Sequence, residues 1–375
     1  MAALFNSIIT TKMMQPTDSL SRDAVAAADI LAAMIIREEQ QMSSSSSTWH
    51  EGGYINSSDP TMTTADDRKK LVNWCYHFVD HCQLSRETVA SAMEMVDRFL
   101  STASKNIGDS ASADDAELVR AVSYEAARDQ RKLQLLTITG LYVAIKINER
   151  VALSSDLYLF AEMCCQAYST EEIEDMERVL LSGLSWRCHA PTALQVGLSI
   201  LSIILPTTVV DIPEETWGVL MDEMKYLIEL TVLDYYFSTQ RTSTVALAAI
   251  YNATCSISSK EHQELLRASL GVIMERFDFD HSKKISEVRR KLLSLIQDDN
   301  DVDEECSLDE GHSGVDDSVR TCRISNNRSS LPEEEDIEGR FISYERDEIM
   351  DHEHEHEREC GISPSSSLYD LSLGL

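Results

Sequence analysis

RKLQLLTITGLYVAIKI, residues 131–147, is apolar almost all round when wound as a helix, and no proline interrupts it. A helix of that kind has no face for water and sits in the middle of a helical domain, surrounded by others. Neighbouring segments supply the surrounding helices. Thr63–Thr64 caps a segment over 65–82 with Leu71, Trp74, Cys75, Phe78 and Val79 on one side. Ser85 opens a helix through Leu100, with Val89, Met93, Val96 and Leu100 aligned. Downstream, two more helices are expected at 155–167 and 170–183, the second opened by a capping box from Ser169 or Thr170. After Trp186 and Pro191 the pattern restarts, with helices expected at 192–205, 214–231, 241–255, 260–276 and 283–296.

Five helices, a break and five more of similar length predict a duplicated all-α unit of about 100 residues. Convincing strand alternation is absent. A further helix is expected over 20–42, where Ile30, Met34 and Ile35 recur at helical spacing before the serine run 43–47 breaks it. Residues 101–130, polar and rich in Gly, Ser and Asp at first and helical in pattern after that, read as a long surface insertion. The expected organisation is an N-terminal segment 1–60, a first unit 61–190, a second unit 191–297 and a tail 298–375.

The chain has 375 residues, with 64 acidic and 33 basic ones. The tail holds 24 of those acids and 6 of the bases. It has few aliphatic residues and cannot bury enough surface to offset the entropy of ordering, so disorder is expected there and over 1–19. A charge of −31 argues against nucleic acid as a main partner, since phosphate binding needs clustered Lys and Arg. The longest apolar stretch, 194–205, is interrupted by Gln195, Ser199 and Ser202 and falls short of the ~20 residues a membrane span needs, so no membrane partner is expected. Nine scattered cysteines without a CxxC pair fit reduced thiols in a protein of the nucleus and cytoplasm.

No phosphate-cradling glycine loop, HExxH, GxSxG or EF-hand pattern is present. Neither a nucleophile with an organised base nor a metal or cofactor site is predicted, and the chain reads as a binder rather than an enzyme.

Several blocks resemble the cyclin family, cell-cycle type, and the likeness covers roughly residues 20–297. They are RKKLVNWC from Arg68, LSRETVASAMEMVDRFLS from Leu84, KLQLL from Lys132, AIKINE from Ala144 and YSTEEIEDMERVLLSGLSW from Tyr168, with YLIELTVLDYYF and TVALAAIY in the second half. The resemblance implies two tandem five-helix cyclin folds and the role of a regulatory subunit that binds and activates a cyclin-dependent kinase. It implies that Lys146 and Glu177 grip the kinase, with Ile147, Leu181 and Trp186 forming apolar surface around them. Arg68 and Asp97 would tie the first helix of the box to the second, with Leu135 beside them as a further box-stabilising position. Trp74, Leu133 and Gln134 match a groove that takes Arg-x-Leu docking peptides from substrates or inhibitors. Asp67 and Lys70 stand where apolar residues are usual and should weaken that groove, and Asn148 replaces an acid, with Glu149 following it. The helix over 20–42 would pack on the box and reach the kinase. In the tail, Arg328-Ser-Ser-Leu331 has the bare form of a destruction signal, and the alternating histidines from His352 to His356 read as a solvated polyelectrolyte. The rival readings are a transcription-type cyclin and a kinase-independent cyclin-fold scaffold.

Overall fold

The computed structural model describes residues 17–44, 55, 62–101, 113–151, 156–208, 212–279 and 282–303. All of them fall in one compact unit that ends at Arg323. Among them are thirteen α-helices and one 3-10 turn, with no strand. The helices are α1 (Thr17–Ser44), α2 (Ala65–His81), α3 (Glu87–Leu100), α4 (Ala113–Ala126), α5 (Gln130–Asn148), α6 (Leu157–Met163) and α7 (Thr170–Gly183). They continue as α8 (Ala193–Thr208), α9 (Glu214–Leu233), α10 (Tyr235–Ser238), α11 (Thr242–Ala253), α12 (Lys260–Arg276) and α13 (Ser282–Asp303).

Two hydrophobic cores organise them. The first is built from α2 to α7 around α5, every residue of which from Leu135 to Ile145 is buried. The second is built from α1, α8, α9, α11, α12 and α13 around α11, buried from Ser243 to Ile250. The all-round apolar pattern of 131–147 therefore marks the centre of the first half. TVALAAIY, from Thr244, does the same for the second.

Close backbone approach seats α3 on α5. A Cβ on Gly140 would stand 2.8 Å from Val96 Cγ2 and 3.4 Å from Ala92 O, so a larger residue would push the two helices apart. Local signals set the starts. Thr64 Oγ1 accepts from the Asp67 N–H while the Asp67 carboxylate accepts from the Thr64 N–H, and Ser169 and Glu172 make the same reciprocal pair at α7. Pro206 lies inside the last turn of α8.

Two expectations need correction. Residues 113–126, read as part of a surface insertion, form α4, and its Val119, Ser123 and Ala126 are buried against α3, α5 and α7. The Ser123 hydroxyl lies 3.1 Å from Phe99 O and 3.2 Å from Leu100 O, and so serves carbonyls left free at the C-terminus of α3. Second, α1 packs on α8 of the second half rather than on the first, sinking Ala27, Ala28 and Leu31 into the second core. The buried Glu38 carboxylate accepts from the Ser243 N–H at 2.8 Å and from its hydroxyl at 2.6 Å. α11 has no capping side chain of its own at Arg241, so α1 supplies the acceptor and a negative charge at the positive end of the α11 dipole. Residues 17–19 and 298–303, for which disorder was expected, are helical at the ends of α1 and α13, and the rest of 1–19 and 298–375 lies outside the described residues.

Candidate functional site

Lys146 lies in the last turn of α5, where a cation complements the helix dipole. Glu177 lies on α7, which packs along α5, and the two side chains form an ion pair. The pair rests on an aromatic floor, with Lys146 Nζ 4.4 Å from the ring centroid of the buried Tyr142. Burial raises the Tyr142 hydroxyl above its ordinary value, and the carboxylates of Glu177, Asp156 and Glu174 raise it further. Ile147 and Leu181 are half-buried at the edge of the first core. Trp186 is 75% exposed, and its N–H donates to Leu181 O at 2.9 Å, which brings the turn after α7 back to the helix. The five residues expected to meet a kinase therefore belong to one neighbourhood at the adjoining C-terminal ends of α5 and α7.

Three residues near this edge were not singled out in the sequence. Arg98 donates to Arg187 O at 2.5 Å and pairs with Glu94 at 3.1 Å. Burial pushes the Glu94 carboxyl up to about 7, the Arg98 charge opposing and the Asp97 charge adding to the shift. Cys188 lies within electrostatic reach of both pairs, and burial raises its thiol. From sequence the only signal was an i, i+4 Glu–Arg spacing, which a solvated helix face shows equally well.

Arg68 and Asp97 pair as expected, with Nε to Oδ1 at 3.0 Å and Nη2 to Oδ2 at 2.7 Å, both side chains at most 5% exposed. This two-pronged geometry is the strong form of the interaction. The third nitrogen adds what the resemblance did not imply: Nη1 donates to Val232 O at 2.7 Å, in the last turn of α9. Arg68 thus joins α2 to α3 within the first half and both to the second half. Leu135 is 6% exposed in the first core. Glu149 accepts from the Ser85 N–H at 2.9 Å and the Thr88 hydroxyl at 2.7 Å, so the acid after Asn148 ties the end of α5 to the start of α3.

The residues matched to a docking groove lie on α2 and α5. Leu133 is 2% exposed and belongs to the first core. Trp74 is half-buried with its ring centroid 5.5 Å from that of Phe78, and Gln134 Oε1 lies 3.1 Å from the Tyr168 hydroxyl. Asp67 is bound up in the α2 cap and by Gln130 Nε2 at 2.9 Å. Burial alone would raise its carboxyl, but hydrogen bonds from Thr64 and Gln130, with the Lys70 charge, bring it below the ordinary carboxylate value. Lys70 pairs with Asp66 at 2.7 Å in solvent.

Arg328 to Leu331 and His352 to His356 lie outside the described residues. Among the described residues no group of three His, Cys, Asp or Glu side chains is placed to hold a metal. No helix among them is long and apolar enough to cross a membrane.

A family model described as the cyclin N-terminal domain matches residues 29–189, and one described as the cyclin C-terminal domain matches 217–307. The chain is similar to the G2/mitotic-specific cyclin-B2 of Oryzias latipes, at 31% identity over 183 residues, covering 49% of this chain and 38% of that protein. It is similar to the G2/mitotic-specific cyclin-2 of Medicago sativa, at 28% identity over 196 residues, covering 52% and 49%. A G2/mitotic-specific cyclin-B of Arbacia punctulata matches at 25% identity over 240 residues, covering 64% and 49%. The chain spans no more than about half the length of these relatives.

Proposed function

This chain belongs to the cyclin family, and on that footing we propose that it is a regulatory subunit that binds and activates a cyclin-dependent protein kinase in cell-cycle control. The observation that carries the reading is the Lys146–Glu177 pair, held between α5 and α7 beside the half-buried Ile147 and Leu181 and the exposed Trp186. Such an edge offers ammonium donors, carboxylate acceptors and apolar area side by side. Apolar contact would carry most of the affinity, and the charges would set the register. The relatives named as G2/mitotic-specific support the cell-cycle assignment.

The proposed chemistry is indirect. This chain supplies no reacting group. A free kinase populates a form in which its regulatory helix is turned away and its Lys–Glu pair is unmade. A subunit that binds the working form preferentially shifts the equilibrium toward it. Moving it from 1:99 to 99:1 takes about 5.5 kcal/mol of differential affinity. Docking of Arg-x-Leu peptides is not part of the proposal, because Asp67 and Lys70 put charges where that groove is usually apolar.

The test is binding of the purified full chain to a panel of cyclin-dependent kinases, with phosphorylation of histone by the complexes measured next. Glu177→Lys should abolish both, since the complex would bury the pair and stranding Lys146 in that interface costs roughly 3–5 kcal/mol. A Glu177→Lys chain that still binds and activates the kinase would sink the assignment of this edge. Binding without any gain in phosphorylation would favour a scaffold instead.

A further inference from the structure

We propose that Arg98 is a positioning residue for Trp186: by gripping the Arg187 carbonyl it holds the turn after α7 in the shape that presents the indole to the kinase. The inference rests on the reading above that this edge is the kinase-binding face.

The turn is one the chain would not choose unaided. Ser185 and Trp186 are consecutive left-handed residues, with φ of 51° and 60°, and neither is glycine. L-residues with a Cβ rarely occupy that region, and strain of this kind persists only where the surroundings over-determine it. Three backbone bonds close the turn locally, from Ser185 N–H to Ser182 O and from Trp186 N–H to Leu181 O at 2.9 Å each, and from Arg187 N–H to Leu184 O at 3.0 Å. They fold the turn back on the end of α7 but do not tie it to another helix. Arg98 does, reaching across 89 residues of sequence to take Arg187 O at 2.5 Å.

The anchor is itself fixed. The Arg98 side chain is only 13% exposed and is braced at 3.1 Å by Glu94, one turn earlier on α3. A grip from a half-buried, braced guanidinium fixes the backbone on which the indole stands, although the ring is 75% exposed. An exposed tryptophan on a pinned, strained turn is costly as surface but suits a pre-organised contact, because the backbone that carries it is ordered before a partner arrives. The Cys188 thiol, two residues on, feels the charges of Arg98, Glu94, Glu177 and Lys146. Leu181, whose carbonyl the turn takes, lies one helical turn after Glu177, so the pinned turn stands at the end of the helix that carries the ion pair.

The test uses the full chain labelled with 5-fluorotryptophan, the Trp186 fluorine signal being assigned by Trp186→Phe. In Arg98→Gln the Trp186 signal should shift and sharpen toward that of a mobile indole, while the buried Trp217 signal stays and reports that the fold is intact. Kinase affinity should fall about tenfold, and Arg98→Lys, which keeps a donor, should restore part of it. In a Trp186→Ala background Arg98→Gln should cost less than about twofold more, because the residue acts through the indole. A Trp186 signal unchanged by Arg98→Gln overturns the proposal. So does a tenfold loss that persists in the Trp186→Ala background, which would make Arg98 a contact or a structural residue. A signal that shifts in a chain whose wild type binds no kinase overturns the kinase reading and upholds the grip.

Discussion

Arg68 has a heavier structural load than an ion pair alone would give it. Its guanidinium spends two nitrogens on Asp97 and a third on the Val232 carbonyl, all away from water. Arg68→Met would leave the Asp97 carboxylate stranded and the α9 terminus uncapped. The expected cost is roughly 3–5 kcal/mol, read as a lower urea midpoint. Glu94 sets a pH response. Its ordinary carboxyl value is 4.5, and in the folded chain burial pushes it up to about 7. Between those values the folded state holds the extra proton, so this group's contribution to stability falls as pH rises from about 4.5 to about 7. Glu94→Gln removes that penalty. It should be about 1–2 kcal/mol more stable than wild type at pH 8, after discounting for a side chain 31% exposed, with the difference vanishing near pH 4.5. Urea titrations across that range would decide it, and a gap that stays constant with pH would count against the buried-proton account.

At the level of single helices, α1 is held by two devices: a small apolar stripe sunk in the second core, and one carboxylate spent on another helix's start. Glu38→Ala should cost about 1–3 kcal/mol, because it leaves the Ser243 N–H at the α11 start without its acceptor. Hydrogen exchange should then accelerate in α1 and in the first turn of α11 together. Acceleration in α1 alone would show that the cap is dispensable. The helices themselves were legible because spacing and caps are local properties: the expected 260–276 is the observed α12, and the Ser169 box opens α7. Partners were less so. The stripe of α1 showed that it packs, but not that its seat is α8, some 165 residues away. The burial of α4 was hidden because its stripe is made of Val119, Ser123 and Ala126. Small and hydroxylic residues read as surface until the Ser123 hydroxyl is seen to serve α3 carbonyls. Lys146 and Glu177 could be paired only through the family resemblance, since 31 residues separate them and each alone reads as one more surface charge. Arg98 was not visible in that way, because its partner is a backbone carbonyl and carbonyls carry no residue signature.

Across the molecule, the two cores meet along a seam that is polar as well as apolar. Arg68 takes Val232 O, the Tyr76 hydroxyl donates to Glu229 O at 3.2 Å, and Arg86 Nε pairs with the Glu229 carboxylate at 2.9 Å. Leu233 belongs to the margins of both cores. This continuity predicts one cooperative unfolding transition for the wild-type chain. Tyr76→Phe combined with Arg86→Gln should loosen the seam while leaving both cores filled. Calorimetry should then resolve two transitions, whereas a single transition at unchanged temperature would place the coupling in the apolar contacts. The Glu38–Ser243 bond has a consequence for synthesis. It joins residues 205 positions apart. At about 5–20 residues per second, a ribosome needs roughly 10–40 s to travel from one to the other. For that interval α1 has no dock, and the greasy stripe of Ala27, Ala28 and Leu31 is open to whatever chaperone is near.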